Sequence, residues 1–243
     1  MRASCLHTIE LTPANGDNIR AAELQIAPFI EDVLARSNLE RAATGRPPID
    51  KPIDKVSLVG HSMGALSARW YAAVLHPERV ALFIATSGAN HGTTWRCESP
   101  FGEGHRQMCP PFAADAAQSA LQFRLNGGPA ADVDETPYGI GRDAPGVRSL
   151  RPDATRAIVY LTLRTADDGY IHPADSLLLD GAGGLARETD PELASQTLPG
   201  NFLLREPSGH DELLSSPAAL RWLDQVLRAG SESPSANDLK DRP

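Results

Sequence analysis

The pentapeptide Gly60-His61-Ser62-Met63-Gly64 constrains this chain more than any other feature. It follows a compact apolar run, Lys55–Val59 (KVSLV), and precedes a stretch, Met63–His76, that reads as a helix ending before Pro77. A G-x-S-x-G sequence arises by chance often enough to mean little alone. Between a strand and a helix it implies a sharp turn that lifts a serine above the C-terminal edge of a parallel sheet. The flanking glycines permit the tight turn and the close approach of neighbouring elements. Met63 would then open the helix with its backbone N–H aimed at an oxyanion. The plainer alternative is that Ser62 only caps a helix.

The rest of the chain supplies the other layers. Residues 5–11 read as a short strand. From Asn18 to Ser37 the residues Ile19, Ala22, Ile26, Ile30, Val33 and Leu34 recur at helical spacing, with Pro28 expected to kink the helix. Further strands are expected at 80–86 (VALFIAT), 157–163 (AIVYLTL) and 201–205 (NFLLR), and helices near 113–125 and 217–228. Strands alternating with helices point to an α/β domain with a mostly parallel sheet. Residues 1–230 form one domain on this reading. Residues 88–153 are a loop-rich, lid-like insertion, and 231–243 a polar, disordered tail. No internal repeat is present.

A serine hydroxyl is a weak nucleophile without a base, and that base needs an orienting acid. On this architecture the chain order is serine, acid, histidine. Asp168 follows the 157–163 strand, and His210 follows the 201–205 strand. Asp167 is the nearest competitor for the acid, and spacing does not separate the two. Asp175 and Asp180 lie deeper in the loop, where solvation is the simpler reading, and Asp211 adjoins His210 too closely in sequence to face it. His61 sits inside the turn. With His91 and Tyr138 it is a candidate pocket residue, although for His91, which precedes the acid, a plain loop role weighs more. His7 reads as structural, and His105 and His172 as surface loop residues. Trp95, Phe101, Met108, Phe112, Phe123 and Tyr138 offer apolar area for a cleft, or ordinary packing.

Charge and cysteine content narrow the rest. A net charge of −8 argues against a nucleic-acid partner, because phosphate binding needs clustered Lys and Arg. No run approaches the roughly 20 apolar residues that span a bilayer, so no stable membrane insertion is expected. Cys97 and Cys109, 12 positions apart, suit a local disulfide, which would imply an oxidising compartment. Two free thiols are the plainer alternative. A zinc site of His91, Cys97, His105 and Cys109 would lack the tight Cys-x-x-Cys spacing. The first residues are too polar for a signal-peptide core.

With Ser62, Asp168 and His210 in place, the chain resembles bacterial secreted lipases and esterases of the α/β-hydrolase fold. Val56–Gly64 is similar to their nucleophile turn, and Thr86–Thr93 (TSGANHGT) to the segment after their next strand. Asp168–Pro173, with Ser176 and Asp180–Ala182, resembles their acid loop, which favours Asp168 over Asp167. Gly209–Leu214 resembles their histidine loop. The resemblance covers about residues 1–230 and implies a mostly parallel sheet with helices on both faces. It also implies an extracellular enzyme, whereas Met1 as the true start would leave a cytoplasmic one. Family members begin with a strand and a His-Gly loop that gives a second oxyanion donor. This sequence starts at the following strand, so an N-terminally incomplete sheet is expected, with coding sequence and a signal peptide upstream. Loss of one such donor typically costs about 2.7–4 kcal/mol of transition-state stabilisation.

The function expected from all of this is hydrolysis of carboxylic esters, in lipids or small molecules. His210 would take the Ser62 proton and Asp168 would orient His210, with the Met63 N–H on the oxyanion and no metal or cofactor. The alternatives are a catalytically inert domain that binds an acyl ligand or partner, or a thioesterase, acyltransferase or polyester hydrolase on the same machinery. Oligomeric state leaves no mark in the sequence.

Overall fold

A computed structural model describes residues 6–44, 52–109, 120–126, 158–173, 175–178, 188–189, 200–204 and 208–230. The expected disordered tail, most of the 126–153 loop, Phe112, Tyr138 and Asp180 lie outside these.

Strands β1 (Val56–His61), β2 (Val80–Thr86), β3 (Val159–Thr165), β4 (Glu188–Thr189) and β5 (Gly200–Leu204) form one sheet in the order β1-β2-β3-β5-β4. Every pairing is parallel. The register sets His61 beside Thr86, Thr86 beside Leu163, and Thr165 beside Leu204. The C-terminal ends of four strands therefore reach one rim, and the segments carrying Ser62, Ser87, Asp168 and His210 all leave from it.

Alternation along β2 shows why both faces are covered. Phe83 and Ala85 join a cluster with Ala65, Leu66, Tyr71, Ile26 and Ile30, whereas Leu82 and Ile84 join Leu161, Leu163, Phe202 and Trp222 on the other side. A strand's side chains alternate between faces, so a run apolar at every position needs a layer on each. Helices α1 (Asn18–Ala21), α2 (Ala27–Ala43) and α3 (Met63–Trp70) supply the first layer. Two short helices follow, α4 (Glu103–Arg106) and α5 (Ala120–Asn126), and α6 (Pro217–Gly230) covers the second face through Trp222 and Val226.

Several expectations need correction. The helix from Asn18 runs to Ala43, and a π-helical turn, Ala22–Ile26, stands just ahead of Pro28. Proline removes a donor and clashes with the carbonyl four residues back, and a wider turn relieves both. Residues 6–11 are not a strand: none of the described strands pairs with them, and Leu6 is 82% exposed. A strand needs a ladder partner, and β1 stands at the sheet edge with one neighbour. β3 begins and ends two residues later than expected, and β1 continues through Gly60 to His61. The expected helix at 113–125 is described over Ala120–Asn126 (α5), and residues 113–119 lie outside the described segments. Glu188–Thr189 was not legible as a strand, because two residues carry no periodicity.

Candidate active site

The turn at Ser62 is held by close backbone contact. Ser62 has φ 53° and ψ −130°, a conformation that non-glycine residues seldom adopt and that typically costs about 1–3 kcal/mol. Its surroundings enforce it. The Ser62 N–H donates to the Thr86 carbonyl at 3.0 Å, and the Ser62 carbonyl accepts from the Ala65 N–H at 3.1 Å. A Cβ on Gly60 would lie 2.6 Å from the Ala65 Cα, and one on Gly88 would lie 2.9 Å from the Ala65 Cβ. Helix α3 can therefore approach the strand ends only where these positions are glycine. Met63 is the first residue of α3, so its N–H has no intrahelical acceptor and lies at the positive end of the helix dipole.

Asp168 and His210, the candidate acid and base, meet at the same rim. His210 Nδ1 lies 2.9 and 2.8 Å from the two carboxylate oxygens of Asp168. Asp168 Oδ1 also accepts the N–H groups of Tyr170 and Ile171, at 2.9 and 2.8 Å. Burial pushes the Asp168 pKa up, but these hydrogen bonds, with His210 first, outweigh it and hold the carboxyl below its usual range. The Ser87 hydroxyl adds to the lowering from its buried position beside the carboxylate. Ser87 itself has φ 42°, so two strained serines flank the rim. Thr165 Oγ1 donates to the Ser208 carbonyl at 2.6 Å and ties the acid strand to the histidine turn.

An Asp168 carboxylate bonded to Nδ1–H leaves the lone pair of His210 on Nε2, the form a general base needs. No hydrogen bond joins His210 to the Ser62 hydroxyl among the described residues. In unliganded hydrolases this contact is commonly long and tightens with substrate.

His61 and Tyr170 both touch the base. Their rings lie 4.7 and 4.9 Å from that of His210. Burial, and then the neighbouring His210, push the His61 pKa down to about 4. Tyr170 continues to Trp95 at 4.5 Å, and Trp95 meets Phe101 edge-on at 5.6 Å. This aromatic row borders the turn in which Cys97 and Cys109 are joined as a disulfide. Neither sulfur is then a thiolate, which removes the zinc set of His91, Cys97, His105 and Cys109. His105 is buried, not a surface residue, and its Nε2 lies 2.9 Å from the Trp95 carbonyl.

Of the other sequence candidates, Asp167 is exposed, the carboxylate bonded to His210 being that of Asp168, and Asp211 is exposed. Asp175 is half-buried, which raises its pKa, and His172 and His91 counter that. The N–H of His91 donates to the Asp175 carbonyl, fastening the segment after β2 to the acid loop. His172 is exposed, and His7 is exposed and outside any strand. Met108 packs in the core. Sequence reasoning missed Ser87 and Tyr170. Tyr170 stands two residues past Asp168 and Ser87 follows β2 directly, and both lie in the segments Asp168–Pro173 and Thr86–Thr93 that carried the resemblance.

The parallel sheet, the strand–Ser62–helix turn and the acid and base at one rim define an α/β-hydrolase fold. No protein-family model matches the chain. Over 77 residues it is 38% identical to a triacylglycerol lipase from Pseudomonas fragi, a stretch equal to 31% of this chain and 26% of that lipase. A solved carboxylesterase from Lactobacillus plantarum is similar at 14% identity and a TM-score of 0.42, over 86% of this chain and 66% of that one. A monoacylglycerol lipase from Paleococcus ferrophilus is similar at 16% identity and a TM-score of 0.35, over 84% and 76%. Within those 77 residues the chain resembles a bacterial triacylglycerol lipase, and it spans about a quarter of that lipase's length.

Proposed function

We propose that the chain is a serine hydrolase of carboxylic esters, with lipid or small-molecule acyl esters as substrates. The observation that carries this reading is the buried Asp168–His210 pair at the rim where strained Ser62 stands. Ser62 attacks the ester carbonyl while His210 Nε2 takes its proton. Asp168 holds the ring in the required tautomer and stabilises its charged form. The Met63 N–H donates to the oxyanion. The protonated His210 then gives its proton to the leaving alcohol, and water, activated by the same base, releases the acid from Ser62. The row Tyr170–Trp95–Phe101 offers an apolar surface for the acyl or alcohol portion. The Cys97–Cys109 bond favours an oxidising, extracellular setting.

Labelling by a fluorophosphonate probe and hydrolysis of short and long p-nitrophenyl esters test this. Both are expected in the wild type. Ser62→Ala should abolish labelling and lower kcat by about 10⁴-fold or more. Folded wild-type protein that takes no label would refute the reading in favour of an inert acyl-binding domain.

A further inference from the structure

The ring of His61 is oriented by hydrogen bonds that leave one nitrogen with nothing to bind. Thr86 Oγ1 gives its proton to the Gly60 carbonyl at 3.1 Å. His61 Nδ1, 3.3 Å from that same oxygen, must therefore be the donor. The tautomer then puts the lone pair on Nε2, which is buried and has no hydrogen-bond partner among the described residues. The same logic applies to His210, whose Nδ1–H is committed to Asp168. Two neighbouring imidazoles thus each carry an Nε2 lone pair, and their rings are 4.7 Å apart. The exposed carboxylate of Asp211 completes the group: one ring nitrogen of each histidine and one Asp211 carboxylate oxygen lie within 4.8 Å of one another.

We propose that His61, His210 and Asp211 form a binding site for a zinc-like divalent cation that shuts off the catalytic base. Two imidazole nitrogens and one carboxylate oxygen suit zinc, or nickel and copper, and not magnesium or calcium, which take oxygen ligands. Zinc takes nitrogen at about 2.0–2.1 Å in a tetrahedron, so the ligand atoms need to close to roughly 3.4 Å apart. Asp211 is exposed and can rotate toward the rings. The fourth position is left to water. The Asp168–His210 bond is the kind of outer hydrogen bond that orients a metal-bound imidazole. Coordination uses the Nε2 electron pair that would accept the Ser62 proton, so the bound form cannot start acyl transfer. The inhibitory role rests on the proposed hydrolase activity, whereas binding itself does not.

Zinc is titrated into the oxidised protein, free of thiol reductant, in competition with a chromophoric chelator. The same preparations are assayed for ester hydrolysis, each relative to its own zinc-free rate. The expected result is one zinc per chain, with affinity at least tenfold weaker in His61→Gln and in Asp211→Asn, and inhibition by zinc but not magnesium that weakens in parallel. Wild-type affinity in folded His61→Gln, or no binding by the wild type, overturns the proposal. Because the chelator reads binding without turnover, inactive protein that still binds zinc through His61 refutes the hydrolase reading and leaves the site standing. Asp211→Asn keeps the fold testable if His61→Gln does not fold, since Asp211 is a surface residue outside the core.

Discussion

The two halves of the site are held by different forces. The Ser62 turn is fixed by contact: Gly60 and Gly88 let Ala65 press against the strand ends, and backbone hydrogen bonds continue the sheet past β1. The Asp168–His210 half is fixed by charge and donors: one carboxylate gathers two N–H groups and an imidazole between loops. Packing tolerates no added atom but is indifferent to pH. A hydrogen-bonded carboxylate tolerates small shifts in shape but depends on protonation. Each half should therefore fail in its own way.

The largest expected effect falls on the charged half. Asp168→Asn preserves shape but would let His210 hold its proton on the wrong nitrogen, and it removes the charge that stabilises the imidazolium. A fall in kcat of about 10⁴-fold on p-nitrophenyl esters is expected, with little change in the circular dichroism spectrum. A variant within about tenfold of wild type would remove Asp168 from the mechanism and reopen Asp167.

Next in size is a pH effect at the seam between the halves. The His61 pKa falls from 6.5 to about 4 on folding, chiefly by burial. Below about pH 6.5 the unfolded chain takes up a proton at His61 that the folded chain refuses. Stability is therefore lost as pH falls from about 6.5 to about 4, and the loss levels off below that. A shift of this size corresponds to at most about 3.4 kcal/mol, taking 1.36 kcal/mol per pKa unit. His61→Gln keeps a donor for Thr86 but does not titrate. Denaturant melts across this window should show wild type weakening relative to His61→Gln on acidification. Parallel curves would mean that His61 is not the buried neutral ring described here.

What was legible in the sequence follows the same division. The turn could be read because contact leaves a local signature: an apolar strand, glycines at fixed offsets from Ser62, then a helix. Asp168 and His210 could be read because each follows a strand, and strand ends share one rim in a parallel sheet. Their surroundings could not. Ser87 and Tyr170 come to the acid and base through loop geometry, which has no period. The His61 tautomer depends on a threonine 25 residues away. Residues 6–11 carry the composition of a strand, but a strand is a property of a pair, and composition cannot show that none of the described strands pairs with them. The burial of His105 depends on Trp95, Phe101 and the Cys97–Cys109 turn closing around it, a tertiary event within a segment that shows no regular pattern.

The smallest expected effect falls on the contact half, and it is the sharpest test of how that half works. A methyl added at Gly60 would meet only main-chain atoms: the Cα and N of Ala65 at 2.6 and 3.0 Å, and the Gly64 carbonyl at 3.1 Å. None of these can rotate aside, so α3 must move away from β1 and carry the Met63 N–H with it. Overpacking of this kind typically costs about 1–3 kcal/mol, so Gly60→Ala should lower the denaturation midpoint by a matching amount. The loss is best read at pH 8, above the window in which the neighbouring His61 titrates. Gly64, where an added Cβ meets nothing within 4 Å, is the internal control. Gly64→Ala replaces a helical glycine and should be neutral or stabilising by up to about 1 kcal/mol. Equal stability losses at the two glycines would mean that close approach of Ala65 is not what holds Ser62 in its strained conformation.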